Sequence, residues 1–200
     1  MKILAFTDMH ASMKAFEKIK KKSKSADLII NCGDFTIFQQ DMKNILNKFE
    51  SLKKTMIIVP GNHEMEDYLS NACKKLEYVK CLIDGCYITD THIFLAAEGN
   101  GFALRDKRFE IVAKAFKKIL NKKENKNKKY ILITHAPPHG TNLDKLMEGH
   151  TGNKTIRDFI RETKPLYSFH GHIEENSYKK DKIGKTIVWN PGPDGRFVRV

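Results

Sequence analysis

The chain has 200 residues and a formal net charge of +12, from 36 Lys and Arg against 24 Asp and Glu. That length allows one ordinary domain, residues 1–200, with a substantial core, and leaves little room for a second. Its four cysteines, Cys32, Cys73, Cys81 and Cys86, form no CxxC pair, which argues for reduced thiols packed in a core and against a disulfide framework.

The first residues, MKILAFTD, run straight into a strand-like segment, and no later stretch approaches eighteen apolar residues. A soluble, cytoplasmic protein with no membrane partner is expected. Continuous apolar runs suited to strands buried on both faces follow at 2–6 (KILAF), 27–31 (DLIIN), 55–60 (TMIIVP) and 130–135 (YILITH). Between them, helical spacing of apolar residues over 11–25, 37–52, 66–76 and 107–123 predicts helices, hence an α/β domain with right-handed crossovers. Strand-like runs without intervening helices at 87–97 and from 185 onward predict antiparallel pairing there, so that two helix-covered sheets would fit.

The Lys-rich stretch 117–129 reads as a solvated helix end and linker. The basic balance would suit a nucleic acid, but Lys outnumbers Arg and Asn is abundant, as an AT-rich coding bias produces. A solvated surface is therefore preferred and a nucleic-acid partner is the alternative.

Each early strand ends in a polar cluster: Thr7, Asp8 and His10; Gly33 and Asp34; Gly61, Asn62, His63 and Glu64; then His135. In a parallel sheet these ends share one edge, so the clusters should converge. One such residue is ordinarily a helix cap; four clusters are hard to explain that way. Asp8 and His10 alternate by two, which in extended backbone puts both on one face to meet one cation. Asp34 offers two oxygens and can bridge to a second cation, completed by Asn62, His135 and His172. Carboxylate, amide and imidazole donors without thiolate favour Mn, Fe, Co, Ni or Zn over a structural zinc cage. Gly33, Gly61 and Gly171 would let the backbone turn beside each ligand.

In this order, D-x-H, G-D, G-N-H-E, T-H-A-P-P-H-G and G-H-I-E resemble the calcineurin-like metallophosphoesterase superfamily over essentially the whole chain. The resemblance implies a four-layer αββα sandwich of two mixed sheets and two divalent metal ions, Mn foremost, with Fe, Ni, Co, Zn or Mg as alternatives. By the same resemblance Asp8, His10, Asp34, Asn62, His135 and His172 match six ligand positions. His63 matches a histidine that binds no metal but stabilises the transition state and protonates the leaving oxygen. The catalytic set is then His63, Asn62 and Asp34. The implied activity is a metal-dependent phosphoesterase, foremost a phosphodiesterase cleaving a small organic phosphate or nucleotide by attack of a metal-bridging hydroxide. The superfamily also includes binding scaffolds that have lost catalysis, and that is the alternative reading.

One position departs from the pattern. The family's last block is G-H-x-H, and its second histidine is replaced here by Glu174. A carboxylate could close the first metal site with a bias toward Mn or Mg, or Glu174 could point away and leave that metal weak. In extended backbone His172 and Glu174 would share a side, one for each metal. Glu64 could orient His63 or be a solvated residue at a helix start. His139, after two stiffening prolines, could meet the substrate or be a loop residue. Arg105 and Arg108, near the loop EGNGF, could contact a second phosphate or be surface cations. His170 reads as a strand residue and 190–193 as a structural turn.

Overall fold

The computed structural model describes residues 1–99 and 103–200. Five strands form the first sheet: β1 (Lys2–Phe6), β2 (Leu28–Asn31), β3 (Met56–Ile58), β4 (Val79–Cys81) and β13 (Arg196–Arg199), in the order β13-β1-β2-β3-β4. The second sheet has six: β5 (Gly85–Ile88), β6 (His92–Ala97), β7 (Lys129–Thr134), β10 (Tyr167–Phe169), β11 (Lys180–Ile183) and β12 (Thr186–Trp189), ordered β11-β12-β10-β7-β6-β5. A small hairpin joins β8 (Lys145–Leu146) to β9 (Gly149–His150). Both large sheets are parallel inside and antiparallel at an edge: β13 on β1, β5 on β6, β11 on β12. The antiparallel pairing expected in the middle and at the end is thus present, although β12 and β13 lie in different sheets.

Alternation along the strands divides the core in three. Ile3 and Ala5 of β1 join Ile30, Ile57, Phe94, Ile131 and Ile133 between the sheets. Leu4 and Phe6 point the other way, against α1 (Met13–Ser23), α2 (Met42–Glu50) and α3 (Glu66–Cys73). Across the molecule Leu95 and Leu132 pack on α4 (Lys107–Leu120) and α5 (Lys154–Thr163). Strands buried on both faces explain the unbroken Ile and Leu runs, and the result is a four-layer sandwich with helices outside two sheets.

Three of the expected helices form close to their predicted spans. The one expected over 37–52 begins only at Met42, because Phe38, Gln39 and Asp41 adopt positive φ of 45°, 66° and 55°. Helix α5 was not anticipated, though Asn153 caps it through Oδ1 to the amides of Thr155 and Ile156, and Ile156, Phe159 and Ile160 bury its apolar face. The stretch 117–129 leaves α4, makes a short turn at Lys123–Asn125 and enters β7, largely exposed as expected.

Candidate metal centre and active site

The parallel register brings the carboxyl ends of β1, β2 and β3 to one edge, where the following loops continue the ladder. The amides of Asp8, His10 and Ala11 donate to the carbonyls of Gly33, Asp34 and Phe35 at 3.0, 3.0 and 2.9 Å. These loops are not extended. Asp8, His10, Ala11 and Asp34 have φ of 51°, 44°, 55° and 51°, a left-handed conformation that costs an L-residue roughly 1–2 kcal/mol. The simple alternation expected to put Asp8 and His10 on one face is therefore not what aims them; left-handed residues at 8, 10 and 11 do. Gly33 matches its anticipated turn, with φ of 99°. Gly61 does not take positive φ; there a side chain would collide with the Asp34 carboxylate.

Asp34 lies in both of the donor clusters found among the described residues, a half-buried one with His10 and His63 and a buried one with Asp8 and His135, each with its donor atoms within 4.8 Å of one another. Its Oδ2 is 3.3 Å from His135 Nε2 and 3.9 Å from His63 Nε2, while Oδ1 accepts the His63 amide at 2.9 Å. On the side of the second sheet, Asn62 Oδ1 is 3.0 Å from His135 Nε2 and 2.9 Å from His172 Nδ1.

The imidazoles are set by their other nitrogens. His135 Nδ1 donates to the Cys32 carbonyl at 2.8 Å, and His10 Nδ1 to that of Thr36 at 3.3 Å. A carbonyl only accepts, so Nδ1 carries a proton in both rings and Nε2 is the nitrogen that faces the carboxylates, available to a cation once it holds no proton of its own. His63 is the reverse: its Nδ1 accepts the Phe38 amide at 3.1 Å, which puts the proton on Nε2. That tautomer suits a hydrogen-bond donor and not a ligand.

The donor set fits a pair of divalent cations. Ligands about 2.1 Å from one cation lie about 3 Å apart when neighbouring, which is the spacing around Asn62 Oδ1. Asp8 Oδ2 is buried without a hydrogen-bond partner, a costly state for an anion that a cation would relieve. Burial, with Asp34 adding to it, raises the Asp8 carboxyl to about 6 despite His135. Burial alone would lower His135, but Asp34 and Asp8 outweigh it and lift the ring to about 9. His172, by burial and by His135, falls to about 4.

Glu174 stands at the rim. Its Oε1 is 3.2 Å from His10 Nε2, and its side chain is 67% exposed. The expected extended segment is absent: His172 has φ of 73° and Glu174 opens a short 3₁₀ turn. The backbone turn after His172 carries the carboxylate toward His10.

Other expectations are corrected. Glu64 neither orients the His63 ring nor faces solvent. It is 5% exposed and accepts the amides of Asp34, Thr36 and Gly61 at 2.8, 2.9 and 3.0 Å and the Thr36 hydroxyl at 2.6 Å, tying the loops after β2 and β3 together. Arg105 pairs with Asp158 at 3.3 Å, and Arg108 with Glu66 and Asp84, both at 2.6 Å. Both arginines are thus surface cations in ion pairs, 61% and 48% exposed, and of the loop EGNGF, residues 100–102 lie outside the described residues. His139 packs by its ring against His150, 5.8 Å between centroids. His170 is buried, with Nδ1 2.8 Å from Thr134 Oγ1. The turn at 190–193 is structural, and its Gly192 carbonyl accepts the Thr7 amide at 3.2 Å.

Two participants were missed. Thr36 holds His10 through its carbonyl and Glu64 through its hydroxyl, and Phe38 holds His63 through its amide. Both follow Gly-Asp in the loop after β2, and that proximity was the only available signal.

A family model described as calcineurin-like phosphoesterase matches residues 1–175. An uncharacterized protein of Methanocaldococcus jannaschii is 31% identical over 209 aligned positions, covering 99% of this chain and 91% of that protein. Among solved structures, TT1561 of Thermus thermophilus shares the fold with a TM-score of 0.74 at 15% identity, over 96% of this chain and 88% of that one. A dimetal phosphatase from Danio rerio gives a TM-score of 0.66 at 9% identity, over 95% and 86%. The chain belongs to the calcineurin-like phosphoesterase family.

Proposed function

We propose that the protein is a phosphodiesterase that hydrolyses a small organic phosphate or nucleotide at the Asp34 centre. Family membership supports the class, metal-dependent phosphoester hydrolysis. The observation that carries the reading is the central place of the Asp34 carboxylate, which clusters with His10 on one hand and with Asp8 and His135 on the other, with the proton-bearing Nε2 of His63 3.9 Å away.

Asp8, His10 and Glu174 would hold one divalent cation and Asn62, His135 and His172 the other, with Asp34 common to both. Two cations held there, Mn²⁺ expected first, would lower the pKa of a water between them and neutralise the phosphoryl oxygens. Held by the Phe38 amide, His63 presents an N–H toward the departing oxygen and stabilises its developing charge. Glu64 keeps the loops of Asp34 and Asn62 at a fixed separation.

Protein purified without chelators and assayed on bis-p-nitrophenyl phosphate and p-nitrophenyl phosphate, with Mn, Ni, Co, Fe and Mg in turn, tests the reading. Faster turnover of the diester is expected. Hydrolysis of the monoester alone would overturn the diester assignment, and no turnover of either with any metal would overturn the enzyme.

A further inference from the structure

We infer that Phe38 is a substrate-positioning residue whose exposed ring stacks on the planar organic group of the phosphoester, the base of a nucleotide. The inference rests on the phosphoesterase reading of the Asp34 centre and names the substrate class of that site.

Phe38 is 71% exposed, whereas Phe35, three residues earlier in the same loop, is fully buried. Its ring centroid is 4.4 Å from that of His63, inclined by 39°. The ring therefore leans on the imidazole with one side and leaves most of its area open to solvent. The loop is rigid as well as exposed. Phe38 and Gln39 have φ of 45° and 66°, a conformation L side chains disfavour. Three hydrogen bonds hold it there: the Phe38 amide to His63 Nδ1 at 3.1 Å, the Gln39 amide to Thr36 Oγ1 at 3.2 Å, and the Gln40 amide to the Ile37 carbonyl at 2.9 Å.

Direction follows from His63. In the phosphoesterase reading its Nε2–H faces the leaving oxygen, and the Phe38 ring, 4.4 Å from the imidazole, is an exposed aromatic surface beside that group. Other exposed apolar side chains lie close in sequence to the same two residues: Ile37 at 40%, Met65 at 64% and Tyr68 at 43%. An open aromatic face favours a flat, weakly solvated group over a sugar or polyol. Stacking of a base on an aromatic side chain is sequence-tolerant, so the site would select nucleotides as a class before any one base.

The test is calorimetric binding of adenosine 5′-monophosphate and ribose 5-phosphate, which differ only by the base, to the Mn²⁺-loaded full chain. The parent protein is expected to bind the nucleotide about tenfold more tightly. Phe38→Ala should erase that ratio by weakening the nucleotide alone, and Phe38→Trp should keep it. Equal affinities in the parent, an unchanged ratio in Phe38→Ala, or parallel loss of both ligands would overturn the inference; the last would make the ring a prop for His63. Absence of turnover of both nitrophenyl esters would remove the phosphoesterase reading without touching the ratio. Normal turnover with a ratio of one would remove this inference alone.

Discussion

The two halves of the centre are built to different standards. Around Asn62 Oδ1, His135 and His172 approach at 3.0 and 2.9 Å, and His135 is 1% exposed with its ring pinned by the Cys32 carbonyl. Around His10 the closing carboxylate comes from Glu174, whose side chain is 67% exposed. The inner half presents its donors before any ligand arrives, whereas the outer half must order a long, solvated side chain as it binds. Preorganisation lowers the entropy cost of binding, so the inner position should hold its cation tightly and the outer one should exchange.

The strongest way to break this comparison is to remove what both halves share. Asp34→Asn should cut turnover by at least about a thousandfold while leaving the circular dichroism spectrum unchanged, since an amide supplies neither the charge nor the second anionic oxygen. Near-parental kcat with both metals retained would end the two-position description. His63→Ala separates chemistry from metal binding: kcat should fall about a hundredfold or more with metal content unaltered, and fall less for nitrophenyl esters, whose leaving groups need little protonation. Loss of a metal in that variant would make His63 a ligand.

Proton competition distinguishes the halves without mutation. His135 sits at about 9, so a cation at the inner position must displace a proton, and affinity there should climb about tenfold per pH unit up to that value. Asp8 sits at about 6, so affinity at the outer position should rise with pH only to about 6 and then level off. Isothermal titrations with Mn²⁺ between pH 5 and pH 9 would show one steep and one flat component. Glu174→Ala should weaken the outer component about tenfold and spare the inner one. If both components match the parent, the glutamate is a bystander. The smallest effect is expected from Glu174→His, a few-fold shift in preference from Mn toward Zn or Ni, read by competition between metals.

Legibility in the sequence differed across the same divide. The strand-end clusters carrying Asp8, Asp34, Asn62 and His135 were readable because buried parallel strands announce themselves by unbroken Ile and Leu runs, and topology places their ends together. The way those residues are aimed was not readable. Alternation predicts extended geometry, but Asp8, His10, Asp34 and His172 adopt left-handed turns, which Asp and His enter more readily than most non-glycine residues but still too rarely for the sequence to signal them. Glu64 next to His63 looks like a helix-start acid. Only tertiary contact reveals it as the acceptor of three loop amides. Helix α5 is different, since its Asn153 cap and its spacing of Ile156, Phe159 and Ile160 lay in plain view.

The pairing of β13 with β1 bears on the order of events during synthesis. Residues 1–81 contain four strands of the first sheet, yet β1 gains its other neighbour only from residues 196–199, and the Thr7 amide beside Asp8 waits for the Gly192 carbonyl. On a ribosome, with on the order of ten seconds separating the two ends, the early half would emerge with one flank of β1 bare and the Asp8 loop untied. Capture of metal by the nascent chain is then a late event, gated by the arrival of its last thirty or so residues.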